Sequence, residues 1–316
     1  MAGNIIVIKM SADNADSEKD IMMFCCAGCG IAEVDDIKLK QCAACDLVRY
    51  CSDTCQKDHR LQHKKECKKR AAELRDEILF KQPESSHEGD CPICLLPLPI
   101  DPSKTILTGC CSKVICDGCS FAYIMRESQG SKAPICPFCR HLTDMSKEEY
   151  RRNLMKRIEA NDPEAMRHKG FDCESEGDYI SAFGYYLKAT ELGDVGAHFS
   201  LSDMYHEGLG VENDEKKEVH HLEEAAIGGH PKARHNLGFV ELKNGRHARA
   251  VKHLIIAAKL GHDMSVDLLK LCYRDGLVSK EDFAAALRGH QAAADATKSP
   301  QREAAEAFRK LGFRKS

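Results

Sequence analysis

Cysteine pairs set two residues apart are the first side chains here that can do chemistry. Cys26 and Cys29, Cys42 and Cys45, Cys91 and Cys94, Cys116 and Cys119, and Cys136 and Cys139 follow that spacing. Cys51 with Cys55, and His63 with Cys67, are each one residue wider, and Cys110 stands beside Cys111. Sixteen of the eighteen cysteines lie between Cys25 and Cys139, while Cys173 and Cys272 are isolated further on. A tight turn that presents two thiolates makes half of a tetrahedral site for zinc, and two such pairs close it. Residues Cys26–Cys67 supply ligands for two closed sites, and Cys91–Cys139 supply ligands for two more. The chemistry predicted is structural: four protein ligands leave no open position for a water to be activated. Four zinc ions per chain are expected.

No apolar run is long enough to span a bilayer. Residues Ile5–Ile8 are too short for a signal-peptide core and lack a basic lead. A cytosolic or nuclear chain is therefore expected, in which paired cysteines are metal ligands rather than disulfides. The net charge of -3 argues against a dedicated nucleic-acid binder. Phosphate-loop, H-E-x-x-H and G-x-S-x-G patterns are absent, so no catalytic residue is assigned. His63 alone among the fifteen histidines has ligand spacing. His220 and His221 are adjacent on a predicted helix and point to different faces.

A helix is predicted over Thr54–Lys68, which puts His63 and Cys67 on one face. With "RYCSDTCQKDH" leading into "HKKEC", the ligand order resembles a MYND finger. The resemblance implies an interleaved arrangement: Cys26, Cys29, Cys51 and Cys55 on one zinc, and Cys42, Cys45, His63 and Cys67 on the other. Cys25 competes with Cys26 as first ligand, but only Cys26 has the two-residue spacing. MYND fingers bind short proline-containing peptides, and Ser52 and Gln56 match positions lining that groove. Arg60 stands where the family usually has tryptophan, so the aromatic wall for a proline ring is missing. The basic run Lys64, Lys65, Lys68, Lys69 and Arg70 reads either as a solvated helix end complementing the helix dipole or as a surface for an acidic or nucleic-acid partner.

The second cysteine cluster, opening with "CPICLLPLP", resembles a RING finger in which every ligand is cysteine. The resemblance implies Cys91, Cys94, Cys116 and Cys119 on one zinc, with Cys110, Cys111, Cys136 and Cys139 on the other. Adjacent Cys110 and Cys111 depart from the family pattern: either both share a metal, or one is spare. RING ligases hold a ubiquitin-conjugating enzyme and its ubiquitin in a reactive pose, so their catalysis is positioning. The family's docking positions fall on Ile93, Tyr123, Pro137 and Arg140.

From Thr143 onward, alanine, leucine, glycine and histidine replace cysteine. Ser146–Glu149 is a capping-box pattern that should start a helix. Small residues then recur at Ala165, Ala197, Ala233 and Ser265, and in a second register at Ala189, Ala225 and Ala257. Pro163 and Pro231 sit where proline opens a helix, and Gly193, Gly229 and Gly261 where glycine closes one. Two helices per unit at this period are the signature of a solenoid. The unit containing "YHEGLGVENDEKK" resembles a Sel1-like repeat, a relative of the tetratricopeptide repeat, which implies protein recognition.

The predicted fold is thus two small cross-braced zinc fingers followed by an all-α helical-repeat solenoid. The expected order is a disordered tail (1–23), the MYND-type finger with its helix (24–80), a polar linker (81–90) and the RING-like finger (91–142). A connecting helix (143–160), the repeats (161–298), and a capping helix with a tail (299–316) follow. A fragment from Ser146 is expected to fold alone without metal. Two functions compete: an adaptor-type ubiquitin ligase, and a non-catalytic zinc-dependent interaction scaffold. Proteins or peptides are the expected partners, without membrane or nucleic acid.

Overall fold

The computed structural model describes residues 5–10, 19–34, 36–128, 135–141 and 146–311. They divide into two units, Met1–Leu79 and Phe80–Ser316. Among the described residues, no helix is long and apolar enough to cross a membrane.

In the first unit, strands β1 (Ile5–Met10) and β2 (Lys19–Phe24) form an antiparallel hairpin, with Ile5 opposite Phe24. The sequence reading expected disorder over 1–23. The continuous apolar runs Ile5–Ile8, rich in β-branched residues, and Ile21–Met23 instead give both segments strand character. A short ladder of β3 (Lys40–Gln41) and β4 (Arg49–Tyr50) follows, then helix α1 (Asp53–Leu79). The core is largely sulfur: Cys26, Cys42 and Cys45 are buried with Leu39 and Tyr50, and Cys51, Cys55 and Cys67 pack around them. So small a core cannot offset chain entropy by hydrophobic burial, so metal bonds must supply the difference.

Helix α1 runs eleven residues past the expected end at Lys68. Arg70 reaches Glu73 (3.3 Å) and Glu77 (2.9 Å), side-chain pairs that support the added turns. The basic run therefore lies mid-helix. The dipole explanation does not apply to it, since that effect is confined to the last turn.

In the second unit, β5 (Thr105–Thr108) and β6 (Lys113–Cys116) form a hairpin that leads into α2 (Asp117–Ser128). Nine helices follow among the described residues, before a tenth, α12: α3 (Lys147–Glu159), α4 (Pro163–Ser175), α5 (Tyr179–Glu191), α6 (Val195–Glu207), α7 (Glu215–Ile227), α8 (Pro231–Lys243), α9 (His247–Lys259), α10 (Asp263–Arg274) and α11 (Lys280–Ala296). Helix α12 (Pro300–Lys310) ends the described chain.

Each repeat begins with a capped helix. Asp162, Asp194 and His230 accept a backbone amide at the start of α4, α6 and α8, and Ser146 does so for α3. The small residues of both sequence registers are fully buried, which is what lets paired helices close on each other. Gly170 shows how tightly: a Cβ there would stand 2.6 Å from the Tyr186 ring. Gly193, Gly229 and Gly261 all adopt positive φ in the turns between helices.

Two elements depart from expectation. The 81–90 segment is not a free linker: the His87 amide donates to Gly229 O (3.2 Å), and the His87 ring lies 4.1 Å from that of His230. Helix α12 forms where Pro300 predicted, but it packs on α2 of the second cysteine module rather than capping the stack. Its inward face explains this: Phe308 meets Phe121 at 5.1 Å, and Arg309 pairs with Asp117. Helix α11 packs on α9 and α10 to end the stack.

Candidate metal centres

Four of the five two-residue cysteine spacings become tight turns with a shared design; the fifth, Cys116 and Cys119, lies at the start of α2. Gly30 N donates to Cys26 O (2.9 Å), Asp46 N to Cys42 O (3.0 Å), Leu95 N to Cys91 O (2.8 Å) and Arg140 N to Cys136 O (3.0 Å). The residue that closes each turn has positive φ: 78° at Gly30, 55° at Asp46, 56° at Leu95 and 60° at Arg140. A Cβ in that region costs about 1 kcal/mol or more. Three turns out of four accept this cost, consistent with a strong ligand bond across them.

The turns bring ligand atoms together in four quartets: Cys26, Cys29, Cys51 and Cys55; Cys42, Cys45, His63 and Cys67; Cys91, Cys94, Cys116 and Cys119; Cys110, Cys111, Cys136 and Cys139. In each, the ligand atoms lie within 4.8 Å of one another. These are the sets that the two resemblances implied. Both modules are cross-braced at the same separation, since Cys26 with Cys51, Cys42 with Cys67, Cys91 with Cys116 and Cys111 with Cys136 are each 25 residues apart.

Sulfur spacing tests the fit to zinc. Tetrahedral Zn–S bonds of about 2.3 Å place sulfurs about 3.8 Å apart. The observed separations are 3.5 Å (Cys29–Cys51), 3.6 Å (Cys51–Cys55), 3.9 Å (Cys42–Cys67), 3.8 Å (Cys94–Cys116) and 3.7 Å (Cys111–Cys136). All are far beyond the roughly 2 Å of a disulfide. His63 Nε2 lies 3.2 Å from Cys45 Sγ. Burial lowers the pKa of His63, so its imidazole is neutral and its lone pair is available.

The thiols themselves call for a cation. Burial opposes a Cys26 thiolate, but the amides of Cys51, Cys29 and Gly28 outweigh it and lower the pKa to about 6. Cys91 is likewise brought to about 7 by the amides of Cys116, Cys94 and Ile93 against its burial. Their neighbours move the other way. Burial, with the Cys42 and Cys67 thiols, pushes Cys45 up to about 12, and the thiols of Cys29, Cys26 and Cys55 push Cys51 up to about 12. One thiolate forms easily in a quartet and resists the next. A divalent cation removes that resistance.

Cys110 and Cys111 both belong to the last quartet. They sit in the β5–β6 turn, where Ser112 takes φ 50° and Ser112 N donates to Thr108 O (2.8 Å). Thr108 Oγ1 lies 3.2 Å from Cys111 Sγ and accepts from Lys113 N (3.0 Å), so the threonine staples the turn. Cys25 lies outside the quartets, buried in a bridge to Ala32.

The partner positions are placed less uniformly. Ile93 and Phe138 occupy the same point of two cysteine turns and are 43% and 37% exposed. Pro137 and Arg140 are exposed. Tyr123 is half-buried; its hydroxyl donates to Ile135 O and accepts from Ile135 N (3.1 Å). Ser52 Oγ accepts from Cys55 N (3.2 Å) at the start of α1, and Gln56 is exposed one turn on.

Residues 26–67 match the family model of the MYND finger. The first module is a MYND finger. Residues 165–194, 195–230 and 231–262 match the Sel1 repeat. No curated protein matches the chain. Among solved structures, a Sel1 repeat protein from Oxalobacter formigenes is 24% identical with a TM-score of 0.40, over 52% of this chain and 71% of that one. The protective antigen c5321 of uropathogenic Escherichia coli, which displays an SLR fold, is 16% identical with a TM-score of 0.40, over 63% of this chain and 42% of that one. The chain binds zinc at four sites, and its MYND finger and Sel1 repeats are protein-interaction modules.

Proposed function

We propose that the chain is an adaptor-type ubiquitin ligase. The second module receives a ubiquitin-conjugating enzyme, while the MYND finger and the Sel1 repeats hold the substrate. The observation that carries this reading is the exposed apolar pair Ile93 and Phe138, one on each of two metal-closed turns. Such side chains held on rigid, cation-pinned turns suit docking, because little conformational entropy is lost on binding. Tyr123 fixes the approach to the second turn through Ile135, so its contribution is positional. Arg140, exposed just beyond Cys139, supplies the charge that would hold ubiquitin against the enzyme. On the MYND finger, exposed Ser52, Gln56 and Arg60 form a polar stripe along the start of α1, which suits a polar peptide better than a proline ring.

The test is ubiquitin transfer by the zinc-loaded chain across a panel of conjugating enzymes. Ile93→Ala should weaken enzyme binding by one to two orders of magnitude, as expected for an apolar anchor in a small interface. Arg140→Ala should leave binding intact and slow transfer. Its backbone cost is unchanged, because any residue with a Cβ meets the same left-handed geometry. A wild-type chain that neither binds an enzyme of the panel nor transfers ubiquitin would overturn the ligase reading and leave the interaction scaffold.

A further inference from the structure

We propose that Arg302, on the last helix, is an outer-shell partner of the zinc site formed by Cys91, Cys94, Cys116 and Cys119, where its guanidinium orients the Cys94 thiolate and offsets the charge of the site. The side chain is 7% exposed. Its Nη1 donates to Pro97 O (2.8 Å) and Thr297 O (2.9 Å); its Nη2 donates to Leu96 O (3.3 Å) and Cys94 Sγ (3.5 Å). One planar group thus ties the end of α11, the loop after the first cysteine turn, and a ligand sulfur together. Only a fork with several fixed donors can do this.

Charge gives the reason. Zinc with four thiolates carries a net charge of about -2. Three of the four ligands here are buried: Cys91 and Cys116 at 0% exposure and Cys119 at 4%. Excess charge removed from water is costly unless a partner offsets it. Amides contribute, with Cys116 N toward Cys91 Sγ and Cys119 N toward Cys116 Sγ, both at 3.4 Å. Arg302 adds a full positive charge from 208 residues away along the chain.

The helix is held close enough for this to be specific. A Cβ at Gly118 would stand 2.6 Å from Arg302 N and 2.7 Å from its Cα, so only glycine admits this approach of α12 to α2. The second module is therefore a finger completed by the C-terminal helix.

The test uses the full zinc-loaded chain, challenged with a chromophoric chelator. Cysteines alkylated as zinc leaves are mapped by mass spectrometry. In Arg302→Gln, one zinc of the four should leave about 10- to 100-fold faster, the usual effect of losing an outer-shell partner. Cys91, Cys94, Cys116 and Cys119 should be alkylated first. Arg302→Lys keeps a cation but not the fork, and should fall between Arg302→Gln and the wild type, with helicity showing that both variants fold. Phe308→Ala weakens the same helix packing but keeps the guanidinium, and should release zinc at close to the wild-type rate. The proposal is overturned if Arg302→Gln releases all four zincs like the wild type, if its labile zinc maps to another quartet, or if Phe308→Ala labilises the site equally. Should Arg302→Gln not fold, wild-type release from Arg302→Lys overturns it.

Discussion

The His87 ring lies 4.1 Å from the ring of His230, and His230 in turn stacks on Phe199 at 4.3 Å. His230 Nδ1 accepts from Ala233 N (3.2 Å), so the same imidazole caps α8. A segment read from sequence as a polar linker is thus a seam between the second zinc module and the repeats. In the same segment, Glu88 has a pKa lowered against its burial by His87 and Arg167. His87→Ala should destabilise the Phe80–Ser316 unit by about 1 kcal/mol, the typical worth of a buried aromatic pair. Urea unfolding of that unit alone measures it, and an unchanged midpoint would show that the seam carries no energy.

The same seam bears on the fragment from Ser146. That fragment keeps the apolar cores of the repeats, among them one around Leu201 and Tyr186 and one around Leu254 and Leu269. It loses the finger under α12. The expected outcome is a helical array with a lower melting temperature than Phe80–Ser316 and fast amide exchange throughout Pro300–Lys310. Slow exchange in that helix would show that α12 has a second docking place.

Removing zinc should separate the modules by their cores. Elemental analysis is expected to give four zincs per chain. Chelation should unfold the MYND finger, whose core is mainly ligand thiols, because metal bonds of about 10 kcal/mol or more are its folding energy. Helix α1 buries only His63 and Leu79, so it should fray as its ligands let go. The repeats contain no ligand, and most far-UV helical signal should persist. Complete loss of that signal on chelation would contradict the separate cores.

Local pattern explains what the sequence revealed and what it concealed. The quartets were legible because metal geometry imposes spacing on neighbouring residues. The small-residue registers were legible because every repeat repeats the same packing constraint. Arg302 was not, since its partners Leu96 and Cys94 are more than 200 residues away and an arginine on a short helix reads as solvated. The end of α1 was missed for a related reason: its last turns rest on charge pairs such as Arg70–Glu77 rather than on an apolar stripe. The hairpin of β1 and β2 was hidden by the polar residues between its strands.

Acid should loosen the repeats as the histidines of the unfolded chain take up protons. Burial, aided by His198 and His220, lowers His221 to about 4, and burial with His235 and Lys232 lowers His262 to about 4. His198 Nδ1 and His221 Nδ1 are 3.0 Å apart, so one donates while the other accepts, and protonating the accepting nitrogen would break the bond. Unfolded histidine titrates near 6.5. Between about pH 6.5 and 4 the unfolded chain therefore binds more protons than the folded one, and stability falls as pH falls. Each unit of separation is worth about 1.4 kcal/mol per group. Urea midpoints of Phe80–Ser316 should drop steadily from pH 7 to pH 4.5, and a flat profile would show that these rings reach water.

His253 is the position where the repeats can be improved. It is fully buried on α9, its ring 4.7 Å from that of Phe80, and neither ring nitrogen has a hydrogen-bond partner. Burial, then Arg234 and Arg249, lowers its pKa to about 3. An unsatisfied buried polar group costs about 1–3 kcal/mol. Leucine has a similar volume and needs no partner. His253→Leu should therefore stabilise Phe80–Ser316 by about 1 kcal/mol at pH 7, after the loss of the contact with Phe80. The gain should grow as pH falls from 6.5, because the wild type loses stability to protonation of its unfolded state and the variant does not. A variant that is less stable than wild type at pH 7, by an amount that does not change with pH, would mean that the imidazole is satisfied where it lies.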